Sequence, residues 1–473
     1  VEPSVSDDAF EPDYLVIGAG ATALAFVDSV LTHSKARVVM VDGHDRPGGH
    51  WGDAYPFVRL HQPSDYYGVN SMPLGRGARE LSGLNAGMRE LASGAEVLDY
   101  FDRVMRERLL PSGRVAYFPR HWATAHADGA VAMQSLVTGA TTIVRARTVV
   151  DGTLARTEVP STHPPRYAVA AGVTCVPINA LPTLHRPGAR YTVVGSGKTG
   201  IDAVLWLLDH GVDEARIRWI IPRDAWMLNR ANYQLDPESF EVLVGGFLAQ
   251  MQSVVEATSV PDLFRRLESR ELLVRLDTHV EPTAYKCCTV SPAELRELRR
   301  VTDVVRLGHV EAVHPHEIEL TRGRIPLRED EIVVDCSACA VLSPPPVPVF
   351  AEGRINLLMI RICQPTFSGA MIGLIASLDA DLERRNVLVH PVPSPNVPLD
   401  WLRMWNVTIR NRLQWSTEPA IESWMRQTRL DSVAIMSRTV QPAETAKQTL
   451  LMSLRDTMVR AGARLPELLA TAG

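Results

Sequence analysis

The chain has 473 residues, 46% hydrophobic and 22% charged, a globular balance that excludes disordered, collagen-like and coiled-coil classes. Its 49 Lys and Arg against 54 Asp and Glu give a net charge of -5, so no broad basic field exists for a phosphate backbone and nucleic acid is not an expected partner. At roughly 150 residues per unit, the length predicts about three structural units.

The segment Val1 to Pro12 is acidic and lacks the apolar core of a secretory signal. Apolar runs such as Ile355 to Cys363 end well before the roughly 18 residues of a membrane helix. Cys175, Cys287, Cys288, Cys336, Cys339 and Cys363 are too scattered for a secreted framework. A cytoplasmic protein with reduced thiols and no membrane partner is therefore expected.

Tyr14-Leu15-Val16-Ile17 predicts a strand, Gly18-Ala19-Gly20 a tight turn, and the run from Ala21 and Thr22 through Leu31 a helix; Val38 to Val41 closes a βαβ unit at Asp42-Gly43. The same order recurs at Tyr191 to Val194, then Gly195-Ser196-Gly197-Lys198-Thr199-Gly200, a helix from Ile201, and a strand Ile217 to Ile221 ending at Pro222-Arg223. Thr148 to Asp151 and Ile332 to Asp335 read as further buried strands. Repeated βαβ order predicts an α/β fold of two Rossmann-like units.

Each glycine turn has a chemical reading. Gly18 permits the turn, Gly20 lets a pyrophosphate approach the backbone, and the helix N-terminus receives its charge. The third glycine is replaced by the small Ala23. Asp42 is placed to accept a ribose diol and would repel a 2'-phosphate, which suits FAD or NAD. In the second turn Gly195, Gly197 and Gly200 are all present, and Arg223 in place of an acid suits the 2'-phosphate of NADPH, with Lys198 adding positive potential. Thr192 stands where a P-loop needs glycine, so NTP hydrolysis is not expected. Two dinucleotide sites in one chain imply a relay from nicotinamide to a second cofactor, a role flavin fills.

With these turns, Arg46-Pro47-Gly48-Gly49-His50-Trp51, the run Arg59 to Tyr67, Arg223 with Trp226, and Gln364-Pro365-Thr366-Phe367-Ser368, the chain resembles the two-dinucleotide-binding flavoproteins, and among them the flavin-containing and Baeyer-Villiger monooxygenases. The resemblance implies FAD held near Gly49, His50 and Trp51. It also implies a return to the FAD unit at Gln364, where a helix aims its dipole at the flavin and is capped by Thr366 or Ser368 beside Phe367. It implies NADPH-driven oxygenation of a small organic substrate by O2 through a flavin C4a-(hydro)peroxide. The family's Phe-x-Gly-x-x-x-His signature is reduced here to His185, and His61-Gln62 replaces its Asp or Asn near the flavin. A reductase or dehydrogenase passing electrons to an organic or protein acceptor, or a nucleotide-binding regulator without turnover, therefore stays open.

Catalytic candidates are His61, expected to move a proton near neutral pH, Gln62 as a hydrogen-bonding partner, and Tyr67 in the substrate pocket. Cys336-Ser337-Ala338-Cys339 has dithiol spacing but ends a late strand, and no histidine spacing suggests a metal. The expected division is a first FAD segment at 13–186, an NADPH unit at 187–342 with a helical insertion at about 224–300, a second FAD segment at 343–400, and a helical region at 401–473. The insertion reads as an active-site cover that sets substrate preference, or as a homodimer surface or a structural cap.

Overall fold

The fold is that of a computed structural model, described for residues 12–126, 130–154, 157–338 and 346–471. Its first parallel sheet is centred on Tyr14–Ile17, flanked by Val38–Val41 and then Val115–Phe118 on one side, and by Thr148–Asp151 and then Arg354–Asn356 on the other. These strands are short apolar runs because both faces of the sheet are covered, one by helices and the other by the antiparallel sheet of His121–Ala125, Ala130–Ser135 and Thr141–Arg145. Helix Ala21–His33 packs on it together with Pro365–Ala376. Gly369 and Gly373 of the latter let the two helices meet backbone to backbone: a Cβ on Gly369 would overlap the Thr22 carbonyl oxygen, and one on Gly373 would lie 2.6 Å from that of Phe26. Chain 350–376 thus returns to complete the first unit, which is discontinuous.

The second parallel sheet has Arg190–Val194 at its centre, with Ile217–Ile220 and Asp303–Val305 on one side and Glu331–Asp335 and Cys175–Pro177 on the other. Cys175–Pro177 pairs in register with Val333 to Asp335, so the chain enters this unit before residue 175 and not at 187 as its spacing had suggested. The reason is that an edge strand of three half-buried residues carries no periodic signal.

The insertion also departs from expectation. Besides helices Phe240–Glu256, Val260–Ser269 and Pro292–Leu298 it holds a sheet in which Ala225–Asn229 lies between Leu273–Val274 and Ala284–Val290. The C-terminal helices do not trail away from it. Thr445–Ala470 lies against Phe240–Glu256 and Pro398–Trp415, and Trp401, Phe264, Leu243, Met404 and Leu465 join one apolar core separate from that of the first sheet. Helices Phe240–Glu256 and Val260–Ser269 of the insertion therefore form one cap with Pro398–Trp415 and Thr445–Ala470, whereas Leu295 and Leu298 of the insertion and Ile421, Trp424 and Met425 of the C-terminal region pack in the core of the parallel sheets.

Candidate functional site

The carboxyl ends of both parallel sheets open onto one cavity of about 1460 Å³, above the roughly 300–1,000 Å³ of an ordinary small-molecule pocket. Gly18 enters it with φ +97° and Gly195 with φ +125°, backbone conformations that side-chain-bearing residues rarely adopt. Gly200 fills the third-glycine role: a Cβ there would overlap the Gly195 carbonyl oxygen and sit 2.9 Å from its carbon. Helices Ala21–His33 and Lys198–Asp209 start at Gly20 and Gly197 with no side-chain cap and no acid in the first turn. Their first N–H groups thus remain available to an anion, as a dinucleotide diphosphate requires. Ala21, Thr22, Ser196 and Thr199 line the cavity beside these turns. So do Gly43 and Gly49, the latter packed so tightly on Gly20 that a Cβ would stand 3.1 Å from its Cα.

Asp42 reaches the cavity already engaged. It accepts hydrogen bonds from the Ala19 N–H at 2.5 Å, the His44 N–H at 2.7 Å and the His44 ring at 2.8 Å, leaving one of about four lone-pair positions for a ribose. Burial pushes its carboxyl up, but the bonds from His44 and Ala19 outweigh this and hold it below the usual carboxylate range. His44, bonded to Asp42 and to Asp53 at 3.0 Å, is raised to about 9. Nothing in the spacing of Gly18 and Asp42 pointed to this histidine.

Beside the first glycine turn, Trp51 donates its indole N–H to the Tyr67 hydroxyl at 2.9 Å, and His50 stacks along Trp51 with ring centroids 5.6 Å apart. Tyr67, buried and with its ionisation pushed far up by burial, holds Trp51 in place. His61 and Gln62 line the centre of the cavity. The Nδ1 of His61 is buried without a partner among the described residues, and burial followed by the charges of Lys198 and Arg230 drives the histidine's pKa well below the ordinary value. This direction favours the uncharged imidazole and runs against proton transfer by His61 near neutrality.

Lys198 pairs with Asp202, one helical turn on, and Asp202 also accepts the Tyr55 hydroxyl at 2.6 Å. The i,i+4 spacing of Lys198 and Asp202 was a readable signal for this pair. Arg223 lines the cavity and donates to the carbonyl oxygens of Thr283 at 2.6 Å and Asn396 at 2.7 Å and to the Asn396 side chain at 3.1 Å, which leaves two of its five N–H donors. Trp226 instead turns into the cap core, with Arg275 over its ring.

Helix Pro365–Ala376 begins at Pro365, with Gln364 as its N-cap residue. Thr366 and Ser368 therefore lie inside its first turn and neither caps it; the Ser368 hydroxyl donates to the Gln364 carbonyl at 2.8 Å and accepts the Ile360 N–H at 3.1 Å. Phe367 is buried between Trp415 and Trp424. Of this segment, the side chains of Gln364 and Pro365 face the cavity, whereas Thr366, Phe367 and Ser368 are buried away from it.

Two further features have no sequence signature. Arg230, fully buried, donates to the His61 carbonyl at 3.0 Å, Asn85 and Glu294 at 2.6 Å each, and the Thr289 carbonyl at 2.9 Å, tying cap to first unit. Cys287 and Cys363, 76 positions apart, form a disulfide with Cα atoms 6.3 Å apart, which corrects the expectation of uniformly reduced thiols. Cys175, Cys288 and Cys336 are free. Cys339 lies outside the described residues, and Cys336 is buried with its thiol pushed up by burial.

No protein-family model matches the chain. It is 41% identical over 462 residues to an uncharacterized protein of Mycobacterium tuberculosis (strain ATCC 25618 / H37Rv), covering 98% of this chain and 85% of that one, and equally to one of Mycobacterium bovis. The chain belongs to the family of these mycobacterial proteins. Among solved structures it is similar to OTEMO in complex with FAD and NADP (14% identity, 78% of this chain and 85% of that one, TM-score 0.49). It is also similar to a closed cyclohexanone monooxygenase (13%, 78% and 84%, 0.48) and to a flavin-containing monooxygenase from Stenotrophomonas maltophilia (15%, 73% and 85%, 0.43). Among the described residues of this family member, no helix is long and apolar enough to cross a membrane.

Proposed function

We propose that the protein is a cytoplasmic FAD- and NADPH-dependent oxidoreductase that oxygenates a small organic substrate with O2. One observation carries the reading: the two glycine turns belong to different sheets and face the same cavity, so two dinucleotides held there meet at their reactive ends. FAD, when bound, supplies two-electron acceptance from NADPH and the subsequent reaction with O2.

The chain's own residues do the positioning. Gly18, Gly20, Ala21 and Thr22 hold the FAD diphosphate, Asp42 its ribose, and Gly49, His50 and Trp51 the flavin, with Gln364 at its edge. Gly195, Ser196, Gly197, Lys198 and Thr199 hold the NADPH diphosphate and Arg223 its 2'-phosphate. His61, its pKa driven down by burial, lines the cavity beside Gln62, and the two work as polar anchors in place of an acid. Tyr67 acts through Trp51, whose plane it fixes.

The test is direct. The purified chain is expected to be yellow, to bleach with NADPH under anaerobic conditions, and to transfer isotopically labelled oxygen from O2 to an organic product. A colourless protein that does not take up FAD would overturn the flavoprotein reading. Bleaching with all O2 recovered as hydrogen peroxide across a broad panel of ketones, amines and sulfides would overturn the oxygenase reading and leave the reductase.

A further inference from the structure

The Cys287–Cys363 disulfide is not on the surface. Both residues are half-buried in the wall of the central cavity, beside Gln364, Trp401 and Trp405. Cys287 belongs to strand Ala284–Val290, whose neighbour Ala225–Asn229 begins two residues after Arg223 on the nicotinamide side. Cys363 immediately precedes Gln364, the N-cap of the helix assigned above to the flavin edge. The bond therefore lies where the two units converge.

Its two residues are also the ones in the cavity wall with a backbone that L-residues avoid: Cys287 and Cys363 each have φ 55°, in the left-handed region. Such residues persist only where surrounding structure enforces them, and they cluster at active sites. A disulfide held under backbone strain and open to a ligand cavity belongs to the labile class, in contrast to a buried structural one. Of the three other described cysteines, Cys175 is half-buried outside the cavity lining, with its thiol raised by burial. Cys288 is buried with its thiol pushed up to about 12, and Cys336 is likewise buried.

We propose that Cys287 and Cys363 are a redox-active pair that accepts two electrons from NADPH bound to this protein. The inference rests on the proposed FAD and NADPH sites. In the net reaction NADPH and one proton convert the Cys287–Cys363 disulfide into two thiols and NADP+: the S–S bond breaks, each sulfur gains one hydrogen, and nicotinamide is oxidised. The consequence is a second acceptor in the cavity beyond the flavin, and so a reductase capacity built into the same site.

The experiment is an anaerobic NADPH titration of the yellow holoprotein, followed by N-ethylmaleimide quenching and peptide mapping, in wild type and in Cys363→Ser. The expected wild-type result is uptake of about two equivalents of NADPH, one for each two-electron acceptor, and about one in Cys363→Ser. Alkylation at Cys287 and Cys363 should rise from near none to near complete while Cys288 and Cys336 stay unlabelled. Retained flavin and an unchanged circular dichroism spectrum show that the variant is folded, and the wild-type mapping stands without it. One equivalent in the wild type, with bleached flavin and an unlabelled pair, overturns the proposal while the flavoprotein reading survives. Failure of NADPH to bleach the flavin at all overturns both.

Discussion

Replacing Arg230 by Met tests how the cap is locked to the first unit. The guanidinium makes hydrogen bonds to four groups at 2.6–3.0 Å, with Glu294 as its ion-pair partner, and both side chains are buried. Removing one member of a buried pair typically costs about 3–5 kcal/mol because the other charge is stranded. Glu294 keeps the Ser291 N–H at 2.8 Å and the Asn85 amide at 2.7 Å, so the lower end, about 3 kcal/mol, is expected. Urea unfolding followed by tryptophan fluorescence measures it. Arg230→Met combined with Glu294→Gln should recover more than half, since a neutral amide is cheaper to leave buried. Loss of the nearby cation should also raise the His61 pKa, read from the imidazole signals by NMR. A destabilisation below about 1 kcal/mol, the range of exposed pairs, together with an unmoved His61, would refute the reasoning.

Gly200→Ala should cost about 1–3 kcal/mol by overpacking, because the obstacle is the Gly195 backbone, and should weaken NADPH binding with flavin content unchanged; wild-type thermal stability would contradict this. Arg223→Ala should raise the KM for NADPH about ten- to hundredfold and leave that for NADH nearly unchanged, from the loss of charge-assisted hydrogen bonds; equal effects on both coenzymes would remove the 2'-phosphate assignment. His44 is raised to about 9 by Asp42 and Asp53, so its contribution is fully present below its unfolded value near 6.5 and is lost as pH rises through about 9. The stability difference between wild type and His44→Gln should therefore shrink over that window, and a difference constant from pH 6 to 10 would show that the imidazolium is not involved.

Both glycine turns, the strands Tyr14–Ile17 and Val38–Val41, and the doubled βαβ order were legible because each is written in contiguous residues: an apolar run, a φ-positive glycine, an amphipathic or buried helix. The return of the chain at Gln364 was legible too, although the helix start was not. A Pro at the first helical position starts the helix at Pro365, directly after Gln364, and Thr366 and Ser368 are thereby drawn into the first turn.

What the sequence determined by itself is thus the local grammar: two nucleotide-type units and the residues at their turns. Tertiary structure decided everything that depends on approach between distant segments. It brought Cys287 to Cys363 across 76 positions, placed Arg230 between His61 and Glu294, joined two helices of the insertion to two C-terminal helices as one cap, and desolvated His61 beside two cations, which lowers its pKa. The physical reason is that turns and strands are selected by short-range sterics and periodicity. Pairing, burial and pKa depend instead on which surfaces are excluded from water together, and no spacing along the chain encodes that.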